Sequence, residues 1–178
     1  MNKQFPEPST ADGVIDEIYS SGEVVKPDGT RIRLDSHISL DEGRFLHSLI
    51  ADDPTVKRTL EVGCAYGLSS LWICKALAGR SGAHHTILDP YEMGYFNGVG
   101  LANLNRAGFT NFTLLEERSE LVMPHAKRNN WIIALESFED NVSKLTNYCY
   151  DEKNFQVPIV EAVERVLSKV AILCLASF

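Results

Sequence analysis

The stretch from Thr59 to Ala78 constrains the fold more than any other part of the sequence. Thr59 to Val62 is a short, mainly apolar run typical of a buried strand, and Ser69 to Ala78 carries apolar residues at helical spacing. Between them lies a tight turn bounded by Gly63 and Gly67. A strand that enters a helix through a glycine turn is the opening unit of an open parallel sheet. The sequence therefore predicts strand, turn and helix in this order.

The same unit repeats further along the chain. His85 to Leu88 predicts a second strand, Val99 to Ala107 a helix, and Phe112 to Leu115 a third strand. Alternating strands and helices with short connections favour a parallel sheet covered on both faces. We therefore predict the α/β class, with a Rossmann-like, doubly wound, mostly parallel sheet. Residues 129 to 178 diverge from the pattern, so the C-terminal half of the sheet is expected to be incomplete.

Residues 1 to 35 are predicted to form an N-terminal extension. Residues 1 to 12 are polar and carry prolines, which indicates a loose lead-in. Lys26 to Thr30 contain a Pro-Asp-Gly turn signal between two short apolar stretches, Val24-Val25 and Ile32 to Leu34, and this pattern predicts a small hairpin. We expect the hairpin to be peripheral to the core.

Further elements are predicted outside the repeating unit. Ser39 to Glu42 has the capping-box pattern, so a helix is expected from about Leu40 to Ile50. Two more helices are expected, at Ser119 to Arg128 and at Pro158 to Ser168. Two late apolar runs follow the repeating unit, at Trp131 to Leu135 and at Val170 to Ala176.

Composition bounds the class of protein. With 178 residues and 44% hydrophobic content the chain can bury one full core, so residues 1 to 178 are treated as a single domain. The net charge of -7, with scattered basic residues, argues against nucleic acid as a partner. No run reaches the roughly 20 apolar residues that span a bilayer, so we expect no membrane association and a cytoplasmic protein. The cysteines stand too far apart for a zinc site or a disulfide framework: Cys64, Cys74, Cys149 and Cys174.

The glycine turn lies where an open parallel sheet binds its ligand. Gly63 and Gly67 let the backbone approach a ligand closely, and amides at the start of the following helix suit an anionic group such as a methionine carboxylate. The dinucleotide fingerprint requires Gly-x-Gly-x-x-Gly, which this turn lacks, so NAD is disfavoured. Asp89 ends the second strand, where a carboxylate can accept hydrogen bonds from the ribose hydroxyls of either cofactor class.

Three segments carry a resemblance to a known family. They are Ile38 to Leu46, Leu60 to Ser69 and Ile87 to Asp89, in this order and spacing. Together they resemble class I S-adenosylmethionine-dependent methyltransferases of the catechol and caffeoyl-CoA O-methyltransferase type, over roughly residues 36 to 124. The resemblance implies S-adenosylmethionine as cofactor and an oxygen of a small molecule as methyl acceptor. It is also compatible with a homodimer.

The resemblance also implies a set of cofactor-binding residues. Glu61 would lie near the methionine and ribose portions, and Asp89 would hold the ribose. Tyr66 and Ser69 would touch the methionine end, and Ser119 follows the third strand, where the family contacts adenine. The full set is Glu61, Gly63, Tyr66, Gly67, Ser69, Asp89 and Ser119.

The resemblance does not extend through the C-terminal half. Metal-dependent members of the family carry acidic residues after their fourth and fifth strands, whereas Glu136 and Ser137 follow the apolar run here. Asp140-Asn141 matches the expected Asp-Asn pair, but too few oxygen ligands accompany it for a divalent cation. We therefore expect no metal, and no catalytic residue is assigned.

Histidines are the remaining candidates for acid–base work. His37 lies beside one of the resembling segments and is retained as a general-base candidate. His84 and His85 enter the second strand at the end opposite the site, and we predict both to be surface residues.

The leading hypothesis is methyl transfer from S-adenosylmethionine to a small-molecule oxygen, with the acceptor unidentified. Two alternatives stay open. One is a catalytically inactive, shortened module that binds the cofactor, because the acidic segment is missing. The other is a nucleotide-dependent oxidoreductase, since Asp89 suits either cofactor.

Overall fold

The computed structural model describes residues 10–118 and the backbone of residues 132–135 and 173–174. The helices within these residues are α1 (Ala11–Ser21), α2 (Leu40–Ala51), α3 (Leu68–Leu77) and α4 (Val99–Arg106). The strands are β1 (Glu23–Val25), β2 (Arg31–Arg33), β3 (Arg58–Val62), β4 (His84–Leu88), β5 (Phe112–Leu115), β6 (Ile132–Leu135) and β7 (Leu173–Cys174). The helices predicted after residue 118 lie outside the described residues.

The main sheet has strand order β5-β4-β3-β6-β7, and every pair in it is parallel. The chain proceeds from β3 outward to β4 and β5 and then crosses to the other side of β3, so the strand order reverses between β3 and β6. Val62 is in register with Leu88 and with Leu135, so the carboxyl ends of three strands meet at one edge. Such sheets bind ligands at this edge. The predicted α/β, Rossmann-like class is confirmed.

The two late apolar runs both contribute strands. β6 pairs with β3 from Thr59 opposite Ile132 onward, and β7 pairs with β6 from Ala134 opposite Leu173. The central strand β3 therefore has a parallel neighbour on each side.

A helix that the sequence pattern did not predict opens the described region. α1 begins within the expected loose lead-in, where the Thr10 side chain accepts a hydrogen bond from the Gly13 amide at 3.2 Å and caps the helix. It ends at Gly22, whose φ of 66° is the left-handed conformation common at helix C-termini. Its buried side chains are Val14, Ile15 and Ile18. The N-terminal region therefore supplies part of the core.

β1 and β2 form the predicted hairpin, with Val24 opposite Ile32. Asp28 Oδ1 accepts a hydrogen bond from the Thr30 amide at 2.8 Å, which is typical of a turn stabilised by an Asp side chain. The expectation of a peripheral hairpin is contradicted, because Val24 is fully buried in the same cluster as α1 and α3. A strand of three residues turns a single side chain inward, so its pattern carries little information about burial.

α2 and α3 form a tightly packed pair beside the glycine turn. The predicted capping box is confirmed: Ser39 Oγ accepts from the Glu42 amide at 3.2 Å, and Glu42 Oε2 accepts from the Ser39 amide at 2.7 Å. A Cβ on Gly43 would lie 2.0 Å from Trp72 Nε1, so glycine permits the close helix approach. Arg80 ties down the end of α2 by donating to the carbonyls of Ile50, Ala51, Asp53 and Val56.

Candidate cofactor site

The turn between β3 and α3 stands at the carboxyl edge of the sheet, beside the point where strand order reverses. Gly63 and Gly67 have φ angles of 87° and 77°, which glycine adopts far more readily than other residues, and Ala65 also has a positive φ of 47°. The Gly63 amide donates to the Leu88 carbonyl at 2.9 Å, which ties the turn to β4. Gly67 is the N-cap of α3 and offers no side-chain capping bond. The turn therefore presents the first amides of a helix.

Gly67 is required by packing within the chain. A Cβ at this position would lie 2.8 Å from both the Cα and the carbonyl oxygen of Gly100, in the first turn of α4. The sequence pattern indicated that this glycine permits the close approach of a ligand. The structure adds a second reason for glycine, because the backbone of α4 packs directly against the turn.

Asp89 organises the turn from the end of β4. Its Oδ2 accepts from the Cys64 amide at 2.9 Å and from the Ala65 amide at 3.3 Å, while Oδ1 accepts from the Tyr91 amide at 2.8 Å. The side chain is buried. Asp89 thus holds the glycine turn against the neighbouring strand, and its contact with a ribose stays a prediction.

Glu61 lies in β3 and is completely buried. Its Oε2 accepts from Ser70 Oγ and lies 3.0 Å from His85 Nε2. Its Oε1 is also buried and has no hydrogen-bond partner among the described residues. The predicted residues Glu61, Gly63, Gly67 and Asp89 are therefore brought together around one turn, with one carboxylate oxygen unsatisfied.

The prediction that His85 is a surface residue was wrong. β4 lies between β3 and β5, and His85 is completely buried there. Its Nδ1 lies 2.9 Å from Thr59 Oγ1, and its other ring nitrogen faces Glu61. His84 is only partly buried, and its Nε2 lies 3.0 Å from Thr113 Oγ1. Adjacent residues of a strand point to opposite faces, so one histidine of the pair entered the interior.

Glu92 is a buried acid that sequence reasoning missed. Its Oε1 accepts from the Gly100 amide at 2.9 Å and from the Leu101 amide at 3.3 Å, so it caps the start of α4 from the preceding loop. Its Oε2 is buried without a partner among the described residues. The residue stands eight positions before the amide that it caps, beyond the local spacing of a capping box.

Three buried acids therefore share this corner of the molecule, namely Glu61, Asp89 and Glu92. Burial raises the pKa of Glu92 to about 7, hydrogen bonds from the Leu101 and Gly100 amides oppose the rise, and the negative charges of Asp89 and Glu61 add to it.

The remaining predicted residues are less clearly directed at a ligand. The Tyr66 hydroxyl donates to Asp35 Oδ1 at 2.7 Å, and burial raises its pKa above the usual value. Ser69 is fully buried in the first turn of α3. His37 is exposed. Ser119 lies outside the described residues, as does Asp140-Asn141, so their roles stay predictions.

The loop after Asp89 presents apolar side chains to the surface. The exposed fractions are 61% for Tyr91, 50% for Met93 and 75% for Tyr95, whereas Glu92 between them is buried. This loop therefore offers an apolar surface directly beside the carboxyl end of β4.

The described part of the chain shows neither a cluster of metal ligands nor a membrane span. Its His, Cys, Asp and Glu side chains form no group of three or more that could hold a metal ion. Its helices include none with the length and apolar character needed to cross a bilayer.

Solved structures, among them two O-methyltransferases, have a similar fold. The O-methyltransferase TomG from Streptomyces achromogenes, involved in tomaymycin synthesis and in complex with SAM, has a TM-score of 0.55 at 16% identity, over 82% of this chain and 61% of its own. The O-methyltransferase from Bacillus cereus in complex with SAH has a TM-score of 0.54 at 14% identity, over 94% of this chain and 80% of its own. Cofactor-bound Rv0187 from MTB has a TM-score of 0.54 at 17% identity, over 82% of this chain and 60% of its own.

No family model matches the chain, and no curated protein does. The chain spans about 60% of the length of TomG and of Rv0187. At these identities the similarity concerns the fold, and it agrees with the resemblance carried by the glycine turn and Asp89. The chain thus has the fold of the class I S-adenosylmethionine-dependent methyltransferases.

Proposed function

We propose that this chain binds S-adenosylmethionine at the turn between β3 and α3 and transfers its methyl group to an oxygen of a small molecule. The observation that carries the proposal is the buried Glu61 Oε1, which lacks a partner among the described residues. A buried carboxylate oxygen without a donor destabilises a fold. Glu61 is the penultimate residue of β3, next to the ligand-binding edge, so a bound ligand is the proposed source of the donor.

The methionine end of the cofactor has the required groups. Its ammonium can donate to a carboxylate such as Glu61, and its carboxylate can accept from the amides at the start of α3. The two features suit the two charges of one amino acid group. NAD carries no such group, so this pairing favours S-adenosylmethionine and argues against the oxidoreductase alternative.

The nucleoside end is proposed to lie on the side of Asp89. Oδ2 of this carboxylate already accepts two backbone amides, whereas Oδ1 accepts one and retains capacity for a further donor such as a ribose hydroxyl. The exposed Tyr91 and Met93 offer apolar surface against which adenine could pack.

The bound cofactor would supply a methyl group carried on a sulfonium. Transfer of this methyl group needs mainly a deprotonated nucleophile that is aligned with the bond to sulfur. The role of this chain is to fix the turn through Asp89 and to hold the cofactor in one orientation. His37 is the candidate that would accept the proton of the acceptor hydroxyl. Oxygen as the methylated atom is supported by the similar folds of two O-methyltransferases.

Isothermal titration tests the cofactor. We expect S-adenosylhomocysteine to bind and NAD to give no heat. Glu61→Gln should weaken binding about 10-fold, since a charge-assisted hydrogen bond is lost. The matched control Glu23→Gln changes a partly exposed acid in the hairpin, outside the glycine turn, and should bind as the wild type does. Heat with NAD and none with S-adenosylhomocysteine would refute the proposal.

A methyl-transfer assay tests the reaction. Catechols and other phenols are offered as acceptors, in parallel with magnesium and with a chelator. We expect the same rate in both conditions, because Asp140-Asn141 alone provides too few ligands for magnesium. Activity that disappears with the chelator would assign a metal role to this pair. Cofactor binding without transfer to any acceptor would instead support the inactive binding module.

A further inference from the structure

A buried chain of hydrogen-bonding side chains links β3, β4 and α3. It consists of Thr59, His85, Glu61 and Ser70. Thr59 Oγ1 is 2.9 Å from His85 Nδ1, and His85 Nε2 is 3.0 Å from Glu61 Oε2. Ser70 Oγ donates to the same oxygen. All four residues are buried.

The chemistry of a carboxylate sets the direction of these bonds. In its ionised form the Glu61 carboxylate only accepts, and in that form His85 Nε2–H and the Ser70 hydroxyl both donate to Oε2. His85 Nδ1 is then free to accept from the Thr59 hydroxyl. Two donors on one oxygen restrain the rotation of the carboxylate. They leave Oε1 as the oxygen without a partner among the described residues.

We propose that His85 is a positioning residue of the cofactor site, which holds the Glu61 carboxylate so that Oε1 accepts from the ammonium of an amino acid group. This inference rests on the proposed function. Filling space alone would not explain the histidine, because an apolar side chain of similar volume fills the same space without the cost of burying a polar ring. Positioning instead requires a donor at the place of Nε2.

Two substitutions of His85 separate positioning from packing. In His85→Gln the amide nitrogen reaches about as far as Nε2 and can still donate to Glu61, whereas in His85→Asn the amide reaches only as far as Nδ1. We expect the dissociation constant for S-adenosylhomocysteine to rise roughly 10-fold in the Asn variant, the size of one such hydrogen bond, and about 2-fold in the Gln variant. His84→Ala is the matched control and should bind as the wild type does. Equal losses in the Gln and Asn variants would overturn the proposal.

A double-mutant cycle asks whether His85 acts through Glu61. In a Glu61→Ala background the Asn substitution should cause no further loss of affinity, because the carboxylate that it positions is absent. Additive losses would overturn the positioning role and indicate a general effect on the fold. Circular dichroism and thermal melts identify any variant that fails to fold.

A spectroscopic measurement on the wild type needs no substitution. We expect the ¹⁵N NMR signals of His85 in the ligand-free protein to show a protonated Nε2. A neutral ring protonated only at Nδ1 would overturn the proposal. Wild-type protein that binds no S-adenosylhomocysteine would refute the proposed function and this inference together. Wild-type binding combined with additive losses would refute the positioning role alone.

Discussion

Replacing Glu92 with Gln should stabilise the fold above neutral pH, with a gain that shrinks as the pH falls. Gln keeps an oxygen that can accept from the Gly100 and Leu101 amides, which Glu92 caps in the structure. It removes a buried negative charge that lies near the charges of Asp89 and Glu61. The pH-dependent part of the effect therefore reports on that charge.

The size of the pH-dependent change in stability follows from the raised pKa of Glu92. In the folded protein the pKa of Glu92 is about 7, against 4.5 for an ordinary glutamate. Below pH 4.5 the carboxyl is protonated in both states, and above pH 7 it is ionised in both, so the wild type loses stability between these values as the pH rises. At about 1.4 kcal/mol per pKa unit, and with some allowance for solvent relaxation, the loss amounts to about 2 to 3 kcal/mol.

Urea unfolding of the wild type and Glu92→Gln from pH 4.5 to 8.5 measures this loss. The difference in unfolding free energy between the two proteins should grow in favour of the variant across the interval and level off above pH 8. The dependence on urea concentration should be the same for both proteins, which confirms that the same surface is exposed on unfolding. A difference that stays constant with pH would refute the reasoning, and so would a direct ¹³C NMR titration of the Glu92 carboxyl with a midpoint near 4.5.

Three further substitutions test the scaffold of the site by urea unfolding. Asp89→Ala removes the acceptor of three backbone amides and should lower the unfolding free energy by about 2 to 4 kcal/mol; a loss below 0.5 kcal/mol would show that the turn forms without it. Gly67→Ala combines backbone strain with a clash against Gly100 and should cost about 3 kcal/mol, whereas Gly79→Ala, with a similar φ but open space around it, should cost about 1 kcal/mol. Equal costs for the two glycines would contradict the packing argument. Arg80→Met keeps an apolar stem but loses the bonds of the guanidinium to the end of α2, and should cost about 1 to 2 kcal/mol; an unchanged midpoint would show that these carbonyls are satisfied by water.

The elements that sequence predicted correctly are those with local signals. The capping box at Ser39 and Glu42, the glycine turn and the three strands around it are defined by neighbours within a few residues, so spacing alone was sufficient. α1 was missed although Val14, Ile15 and Ile18 have helical spacing, because the polar, proline-bearing lead-in masked its start at Thr10. A count of apolar periodicity from Ala11 onward would have found it.

The site residues that escaped prediction are those whose partners are distant in sequence. The burial of His85 follows from the position of β4 between two other strands, and its bond to Glu61 depends on a register that spacing does not reveal. Glu92 lies in a loop of turn-forming residues, and in the sequence it has the pattern of a solvated acid. Its burial depends on the contact with the start of α4, which only the structure shows. Asp89 was predicted for a cofactor, but its bonds to the amides of the turn required the structure.

The position of β3 has a consequence for how the protein emerges from the ribosome. β4 follows β3 closely along the chain, whereas β6 is synthesised only after β4 and β5 are complete. At roughly 5 to 20 residues per second, the nascent chain holds β3 for several seconds with one row of backbone amides and carbonyls unpaired. An unpaired strand edge can recruit a strand from another chain. The middle of the finished sheet is thus exposed to aggregation during synthesis, and pairing with β6 ends that exposure.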